Sequence, residues 1–248
     1  MRVLYILWLR QVKRFFRAKS RMVGAIGQPL LFLLALGYGL GSVYKRAGQG
    51  DYLQFLVPGI MAQTVLFSAM FFGAMIMFDK QFGFLKETLV APVSRFKIML
   101  GGALGGATTA VIQGILLLVI ATALGFRPQH WALVPVAILI LSLLSLAIAS
   151  FSSGIGSFVQ DMQGFQAINQ FLVFPLYFLS GALYPLTGIP DWLRIVAEFN
   201  PMSYAVDALR DTLIGQTHFG LAKDIVVLGI SAVILIMFGA YRFKRIEA

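Results

Sequence analysis

Long apolar runs alternate with short polar segments along the whole chain. Several of these runs hold about 20 residues without an Asp, Glu, Lys or Arg, which is the length that a helix needs to cross ~30 Å of hydrocarbon. The pattern predicts an all-α polytopic membrane protein with six transmembrane helices in a single domain, residues 1–248. The predicted spans are residues 22–44, 55–78, 98–126, 131–157, 165–187 and 225–241.

Residues 1–21 alternate basic and apolar positions at helical spacing. The basic positions recur every three or four residues and share one face: Arg10, Lys13, Arg14, Arg17 and Arg21. The apolar positions share the opposite face: Tyr5, Trp8, Val12 and Phe15. The pattern predicts an amphipathic interfacial helix that lies along anionic lipid headgroups. Such a helix can anchor the orientation of the chain, contact a cytoplasmic partner, or do both.

A short polar segment, residues 79–97, separates the second and third predicted spans. Lys86 and Glu87 are charged positions on a short predicted helix, and three apolar side chains accompany them: Phe82, Phe84 and Leu85. Aromatic anchors within a polar rim are typical of protein–protein interfaces. Pro92 sets the chain direction before the third span, because the residue before a proline disfavours the helical conformation. The alternative interpretation is a solvated loop that only carries charge.

Residues 188–220, between the fifth and sixth spans, are more polar than the spans. Pro190 and Asp191 are typical of a helix start, and an apolar stripe follows at Trp192, Leu193, Val196 and Phe199. Asn200 and Pro201 interrupt this helix, and a second one is predicted to begin near Ser203. Two short amphipathic helices indicate an outer re-entrant or interfacial hairpin, whose turn must be buried in protein or face a wet cavity. A plain surface loop is the alternative.

The third span opens with the sequence GGALGGATTA. Gly101 pairs with Gly105, and Gly102 pairs with Gly106, in two overlapping motifs of small residues four apart. Such a helix face lets a neighbouring backbone approach closely, so the four glycines are predicted packing positions. A nucleotide-binding loop is disfavoured, because no Lys follows and the segment lies within an apolar span.

Composition supports a membrane protein over a soluble all-helical core. The chain is 59% hydrophobic and 12% charged, whereas soluble domains are about half apolar and a quarter charged. There are no cysteines, and both histidines, His130 and His218, fall in predicted loops. We therefore expect no disulfide, no metal site and no cofactor bound by this chain.

The basic residues are distributed unequally between the two sides of the predicted topology. Residues 1–21, 79–97 and the C-terminal tail hold 14 of the 20 Lys and Arg residues, whereas the opposite loops balance six bases with six acids. The positive-inside rule therefore predicts that both termini are cytoplasmic. The net charge of +10 is accordingly assigned to topology and not to nucleic-acid binding. The N-terminus lacks the uninterrupted apolar core of a cleavable signal peptide.

No charged residue falls within the six predicted spans. Ion-coupled transporters usually keep such residues despite a cost of ~2.5–3.5 kcal/mol for each, so the pattern argues against ion coupling. The chain also lacks an intramembrane acid pair, an HExxH sequence and a GxxxxGK[ST] phosphate loop, so any energy must come from another chain. Most of the polar side chains within the spans are suited to hydrogen bonds between helices, and a minority are suited to lining a transport path. These polar residues are Gln28, Gln63, Thr64, Thr108, Thr109, Gln113, Ser152, Ser153, Asn169 and Gln170.

Four features together resemble the membrane subunit of type-2 ABC exporters. They are the basic amphipathic N-terminus, the block YLQFLVPG…LVAPVSRFKIMLGGALGG at residues 52–106, the sequence SFSSGIGSFVQD at residues 150–161, and FNPMSYAVDALRDTL at residues 199–213. This permease family includes daunorubicin-resistance-type, Nod-factor-type, and polysaccharide or teichoic-acid exporters. The resemblance is strongest to the drug and lipo-oligosaccharide branch.

The resemblance implies a half-transporter in the cell (inner or plasma) membrane. Two copies, expected as a homodimer, would form a path lined by the first, second and fifth spans, with dimer contacts on the first and fifth. Two cytoplasmic ATPase subunits, which bind ATP and Mg²⁺, would dock beneath. The coupling contacts would come from residues 79–92 and the N-terminal helix, and the implied residues are Phe82, Phe84, Leu85, Lys86, Glu87, Thr88, Leu89, Arg10 and Arg14. The outer hairpin would help to close the path, and the implied gate residues are Asn200, Pro201, Tyr204, Asp207 and Arg210.

The function implied is ATP-driven export of an amphipathic substrate, such as a drug-like molecule or a lipid-linked glycan. A polysaccharide or glycolipid exporter is the alternative within transport. A non-transporting membrane scaffold or assembly factor is the alternative from another class of protein.

Overall fold

The computed structural model describes residues 2–46, 50–90 and 92–246, including all side chains in these ranges except those of residues 19–22. Arg21, one of the five predicted basic-face residues, therefore has its side chain outside the described part. The described chain is built from helices and connecting turns. The helices are α1 Arg2–Arg17, α2 Lys19–Gly39, α3 Gly41–Arg46, α4 Tyr52–Gln81, α5 Phe84–Val90, α6 Arg95–Ala123, α7 Val134–Phe158, α8 Met162–Phe178, α9 Asp191–Phe199, α10 Pro201–Ile214 and α11 Leu221–Lys244.

Four helical segments are long and apolar enough to cross a membrane: Tyr52–Gln81, Arg95–Ala123, Trp131–Phe158 and Leu221–Lys244. They coincide with four of the six predicted spans. The other two, residues 22–44 and 165–187, coincide with the shorter helices α2 and α8, in which the apolar stretch of α2 is Val23–Gly39. Helix length and composition therefore support four spans.

The predicted fifth span, residues 165–187, is wrong at its end. Its helix α8 stops at Phe178, and the chain continues through turns in which Gly181 has a φ of +73°. Pro175 lies in the last turn of α8, where it cannot donate a backbone hydrogen bond. Ser180 and Ala182 in the turns are nevertheless buried. This segment, residues 179–188, is called the α8 turn below.

Helix α4 is the centre of the bundle, and most of its side chains are buried against α2, α6, α7, α8 and α10. Small residues make the contact with α7 close. A Cβ at Gly156 would lie 2.5 Å from the carbonyl oxygen of Gly73, and the Gly73 amide donates a 3.0 Å hydrogen bond to Ser152 Oγ. The helices therefore pack backbone to backbone, as small residues permit between membrane helices.

The four glycines of α6 divide between two neighbouring helices. A Cβ at Gly105 would lie 2.5 Å from Gln11 Cβ in α1, and one at Gly102 would lie 2.6 Å from the Phe72 ring in α4. Gly101 and Gly106 extend the same two contacts, to α1 and to Phe72 respectively. The face of α1 that contacts α6 is thereby enclosed within the protein.

Several helices begin a few residues before their predicted spans, so they contain charged residues that the prediction left outside. Helix α11 begins at Leu221, four residues before the predicted span, and includes the fully buried carboxylate of Asp224. Helix α6 begins at Arg95, three residues before its predicted span.

Candidate functional site

Helix α5 presents an apolar and charged surface at one end of the bundle. Gly83, with a φ of +79°, turns the chain from α4 into α5, and Phe82 beside it is exposed. Phe84 is 54% exposed and Val90 is 85% exposed. The charged side chains of Lys86 and Glu87 are also exposed. Among the predicted coupling residues, these four lie on a surface open to a partner: Phe82, Phe84, Lys86 and Glu87.

The remaining predicted residues of α5 face inward or sideways. Leu85 is only 5% exposed and belongs to the core, and Leu89 packs against that core. Thr88 donates its hydroxyl to the carbonyl of Phe84 at 2.9 Å. The expectation that Leu85 adds exposed anchor area is therefore wrong, because a two-turn helix on the bundle must bury one side. Leu85 fastens α5 to the bundle.

Arg10 and Arg14 of α1 both form ion pairs with Asp79, in the last turn of α4. Arg14 Nη1 lies 3.2 Å from Asp79 Oδ1, and Arg10 Nη2 pairs with Oδ2. Asp79 is buried, whereas both arginine side chains remain partly exposed. The structure thus brings the two predicted contact residues of α1 to the base of α5. In the sequence Asp79 is one charge of the polar segment 79–97. An acid at the end of an apolar run, in a chain with a basic N-terminal helix, is nevertheless a signal for such an ion pair.

Arg210 is buried at the end of the bundle that contains the first turn of α4. Its Nη2 donates hydrogen bonds to the carbonyl oxygens of Gly181 and Ala182 at 2.9 and 3.0 Å, and its guanidinium lies 3.7 Å from the centroid of the Phe55 ring. Burial lowers the pKa of Arg210 to about 10, and the charge of nearby Asp207 opposes this shift. The guanidinium therefore remains a cation near neutral pH, held by carbonyl dipoles and an aromatic face.

The other predicted gate residues also connect α10 to its surroundings. Asn200 caps α10 through the Met202 amide and donates from Nδ2 to the carbonyl of Leu176 in α8, at 2.7 Å. Pro201 is the first residue of α10, and the Tyr204 hydroxyl donates to the carbonyl of Glu198 in α9. Asp207 accepts from the hydroxyl of Thr217 and from two backbone amides, those of His218 and Phe219. The five residues are thus gathered on one buried helix, and their role as a gate remains a prediction.

A cavity with several amide and hydroxyl side chains on a mostly apolar wall lies between α1, α2, α4, α6 and α8. Its volume is about 260 Å³, and none of the sixteen described residues that line it is charged. Six of its polar residues lie among the span residues singled out in the sequence, namely Gln28, Gln63, Thr64, Thr109, Gln113 and Asn169. The amide side chains on its wall are Gln11, Gln28, Gln63, Gln113 and Asn169. The sequence indicates the polar positions, whereas only the packing of the helices brings these side chains to one cavity.

The described helices are those of a membrane protein, since four helical segments are long and apolar enough to cross a bilayer. A family profile described as ABC-2 type transporter matches residues 2–214. The chain belongs to the ABC-2 type transporter family.

Relatives extend over almost the entire chain. The transport permease ycf38 of Cyanophora paradoxa is 31% identical across 95% of this chain and 87% of that protein. Nodulation protein J of Rhizobium leguminosarum bv. trifolii is 28% identical across 93% of this chain and 86% of that protein. The ycf38 permease of Porphyra purpurea is 30% identical across 80% of this chain and 71% of that protein. These relatives support a transport permease.

Proposed function

We propose that this chain is the membrane subunit of an ATP-driven exporter that moves an amphipathic substrate out of the cytoplasm or the inner leaflet. ATP and Mg²⁺ bind to a separate ATPase subunit, because this chain contains no GxxxxGK[ST] phosphate loop. Membership of the ABC-2 type transporter family supports this proposal.

The observation that carries the proposal is the way in which α5 is attached to the bundle. Its outer side offers Phe84 and Val90 beside two opposite charges, while Leu85 on its inner side is held in the core. Asp79, at the base of α5, ties the same end of α4 to α1. A partner that moves α5 would therefore also move α4, the helix at the centre of the bundle.

The finer topology belongs to the same proposal. In the proposed topology, α2 and α8 are the first and fifth of six spans, both termini are cytoplasmic, and α5 lies at the cytoplasmic face of the membrane. Large apolar side chains are exposed on both shorter helices, among them Leu31 on α2 and Phe171 on α8. A second copy of the chain covers these faces in the proposed homodimer. The exposed side chains of Trp192 and Phe199 support a position of α9 in the outer lipid interface.

Coupling is tested by reconstituting the chain in nanodiscs with an ABC ATPase subunit from the same organism. Phe84→Ala should weaken complex formation by roughly 30-fold and abolish stimulated ATP hydrolysis, because a central aromatic anchor contributes about 2 kcal/mol or more. Phe158→Ala is the matched control, since Phe158 is 44% exposed at the end of α7 and lies outside α5. It should leave binding unchanged.

Two outcomes would overturn the proposal. One is the absence of a complex between the wild-type chain and the ATPase, which would favour a non-transporting scaffold. The other is an equal effect of the two substitutions on ATP hydrolysis.

Uptake of labelled amphiphiles into inverted vesicles, with ATP against a non-hydrolysable analogue, then decides between a drug-like substrate and a polysaccharide or glycolipid.

A further inference from the structure

Two aspartate side chains face each other where α10 meets the start of α11. Asp207 lies on α10, and Asp224 lies in the first turn of α11. Their carboxyl groups are within hydrogen-bonding reach of each other. Asp224 is 0% exposed and Asp207 is 5% exposed, so bulk water does not solvate either group freely. Two ionised carboxylates in this position would repel each other strongly.

The two carboxyl groups have unequal surroundings. Asp207 accepts hydrogen bonds from three donors in residues 215–220, the connection between α10 and α11. They are the Thr217 hydroxyl at 3.0 Å, the His218 amide at 2.8 Å and the Phe219 amide at 2.7 Å. Donors of this kind stabilise a carboxylate, so Asp207 is the ionised member of the pair.

Asp224 has the opposite environment. Both of its carboxyl oxygens are buried, and neither has a hydrogen-bond donor among the described residues. An ionised Asp224 would be a buried charge without a partner, which is strongly unfavourable. The carboxyl group that faces it offers only acceptor oxygens, so the pair lacks one hydrogen atom.

The neighbouring charged and titratable groups do not supply the missing donor. On the elements packed around the pair they are Tyr52, Glu198, Tyr204, Arg210, Asp211, His218 and Lys223. Arg210 donates to the α8 turn, and the Lys223 ammonium group lies 5.1 Å from the centroid of the Phe219 ring. The Tyr204 hydroxyl donates to the carbonyl of Glu198, and burial raises the pKa of this phenol, so it remains neutral. Helix α7 carries no titratable side chain, and the charged residues of α6 lie in its first turn, at the opposite end of α11.

A metal ion fits the pair less well than a proton does. Ca²⁺ takes about six to eight oxygen ligands, and Mg²⁺ requires an octahedral arrangement. Among the described residues, no group of three or more Asp, Glu, His or Cys side chains is arranged to hold a metal ion. A proton requires only two facing oxygens, and it converts their repulsion into one charge-assisted hydrogen bond.

We propose that Asp224 is a proton-binding site, whose carboxyl group remains protonated at neutral pH and donates a hydrogen bond to the Asp207 carboxylate. The shared proton joins the first turn of α11 to α10. When this proton leaves to water, two negative charges face each other in a buried site, and the connection fastened by Asp207 should loosen. The protonation itself is independent of the export proposal. A response to the pH outside the cell rests on the proposed topology, in which this end of α11 is on the outer side.

The first test is infrared spectroscopy of the full chain in nanodiscs at neutral pH, without any ATPase. Isotope labelling of the Asp carboxyl carbon identifies the C=O band of a protonated carboxyl group, which is separate from the bands of carboxylates. The wild-type chain should show this band, and Asp224→Asn should lose it. Asp211→Asn is the matched control and should retain the band, because Asp211 is a half-buried acid on α10, one turn from Asp207. Absence of the band from the wild-type chain, or its persistence in Asp224→Asn, would overturn the proposal.

The second test measures how stability changes with pH. An unfolded Asp side chain releases its proton above about pH 4, whereas Asp224 in the folded chain retains it. The folded chain therefore binds one more proton than the unfolded chain, and its stability must fall as the pH rises. Between about pH 5 and pH 7, the unfolding equilibrium constant of the wild-type chain, relative to that of Asp224→Asn, should rise about tenfold for each pH unit.

Denaturant unfolding in mixed micelles gives both constants. His218→Asn removes an imidazole that titrates in the same range but keeps the backbone amide that donates to Asp207, so this variant should retain the wild-type slope. An equal pH dependence of wild type and Asp224→Asn would contradict the proposal. A wild-type stability that rises with added Ca²⁺ and falls with a chelator would also contradict it, because a metal ion would then occupy the pair.

Neither measurement depends on one variant or on an ATPase. If Asp224→Asn fails to fold, the infrared band of the wild-type chain at neutral pH, and its loss at high pH, still decide the question. Failure of the export proposal would leave both results unchanged, since no ATPase enters either measurement.

Discussion

The guanidinium of Arg210 lies 3.7 Å from the centroid of the Phe55 ring, which joins α10 to the first turn of α4. The same guanidinium donates to two backbone carbonyls of the α8 turn. One buried cation thus holds three segments that are distant in the sequence.

Arg210→Met should lower the free energy of unfolding by about 3 kcal/mol, because the carbonyls of Gly181 and Ala182 lose their donor inside the protein. Arg210→Lys should not restore stability, since an ammonium group cannot reproduce the planar fork of donors. Thermal unfolding in detergent measures both. Arg194→Met is the control, because its pair with Asp191 is exposed and contributes about 0–1 kcal/mol. Equal losses at Arg194 and Arg210 would contradict the central role of Arg210.

Asp79→Asn should loosen α1 from the bundle, because it removes the negative charge and one of the two oxygens that accept from Arg10 and Arg14. We expect a loss of about 1–2 kcal/mol in unfolding free energy, and faster hydrogen exchange of α1 amides. Asp191→Asn, at the exposed pair with Arg194, serves as the control and should leave α1 exchange unchanged. Unaltered exchange in Asp79→Asn would show that packing against α6 alone holds α1.

Alanine at two different glycines should have opposite effects on stability. Gly105→Ala places a Cβ 2.5 Å from Gln11 Cβ, so α1 must shift and the chain should lose about 1–3 kcal/mol. Gly229→Ala on α11 meets nothing within 4 Å and should gain up to about 1 kcal/mol from helix propensity. The thermal midpoints should therefore move in opposite directions. A rise in the midpoint of Gly105→Ala would mean that α1 does not pack against α6.

Replacement of Asp by Asn should have opposite effects on the free energy of unfolding at Asp207 and at Asp224. Asp224 is fully buried, has no described donor on either oxygen, and lies within hydrogen-bonding reach of Asp207. Asp224→Asn should raise the unfolding free energy by about 1–3 kcal/mol, because its amide can donate to Asp207. Asp207→Asn should lower it by a similar amount, because Asp207 accepts from Thr217, His218 and Phe219. Chemical denaturation at neutral pH measures both unfolding free energies. A change in the same direction for both variants would contradict the prediction.

Local sequence patterns predicted the helices and several of their faces. Charge-free runs identified four long spans, and the spacing of Gly101, Gly102, Gly105 and Gly106 identified close-packing positions in α6. The break at Asn200–Pro201 separated α9 from α10, although α10 begins two residues earlier than predicted. These features depend on residues within a few positions of one another, which is why one sequence suffices.

The pairing of faces was decided by the tertiary structure. Hydropathy did not reveal that the helix predicted at residues 165–187 would stop at Phe178, because the α8 turn that follows is also apolar. The carbonyl groups of this turn accept hydrogen bonds from Arg210, which lies about 30 residues later in the chain. Leu85 and Phe84 are adjacent apolar residues in the sequence, but only the position of α5 on the bundle decides which one is buried. Asp79 acquires its partners, and the amides of Gln63 and Gln113 acquire a shared cavity, through contacts between distant helices. Helical periodicity determines which side chains share a face, whereas the packing of helices against one another determines what that face meets.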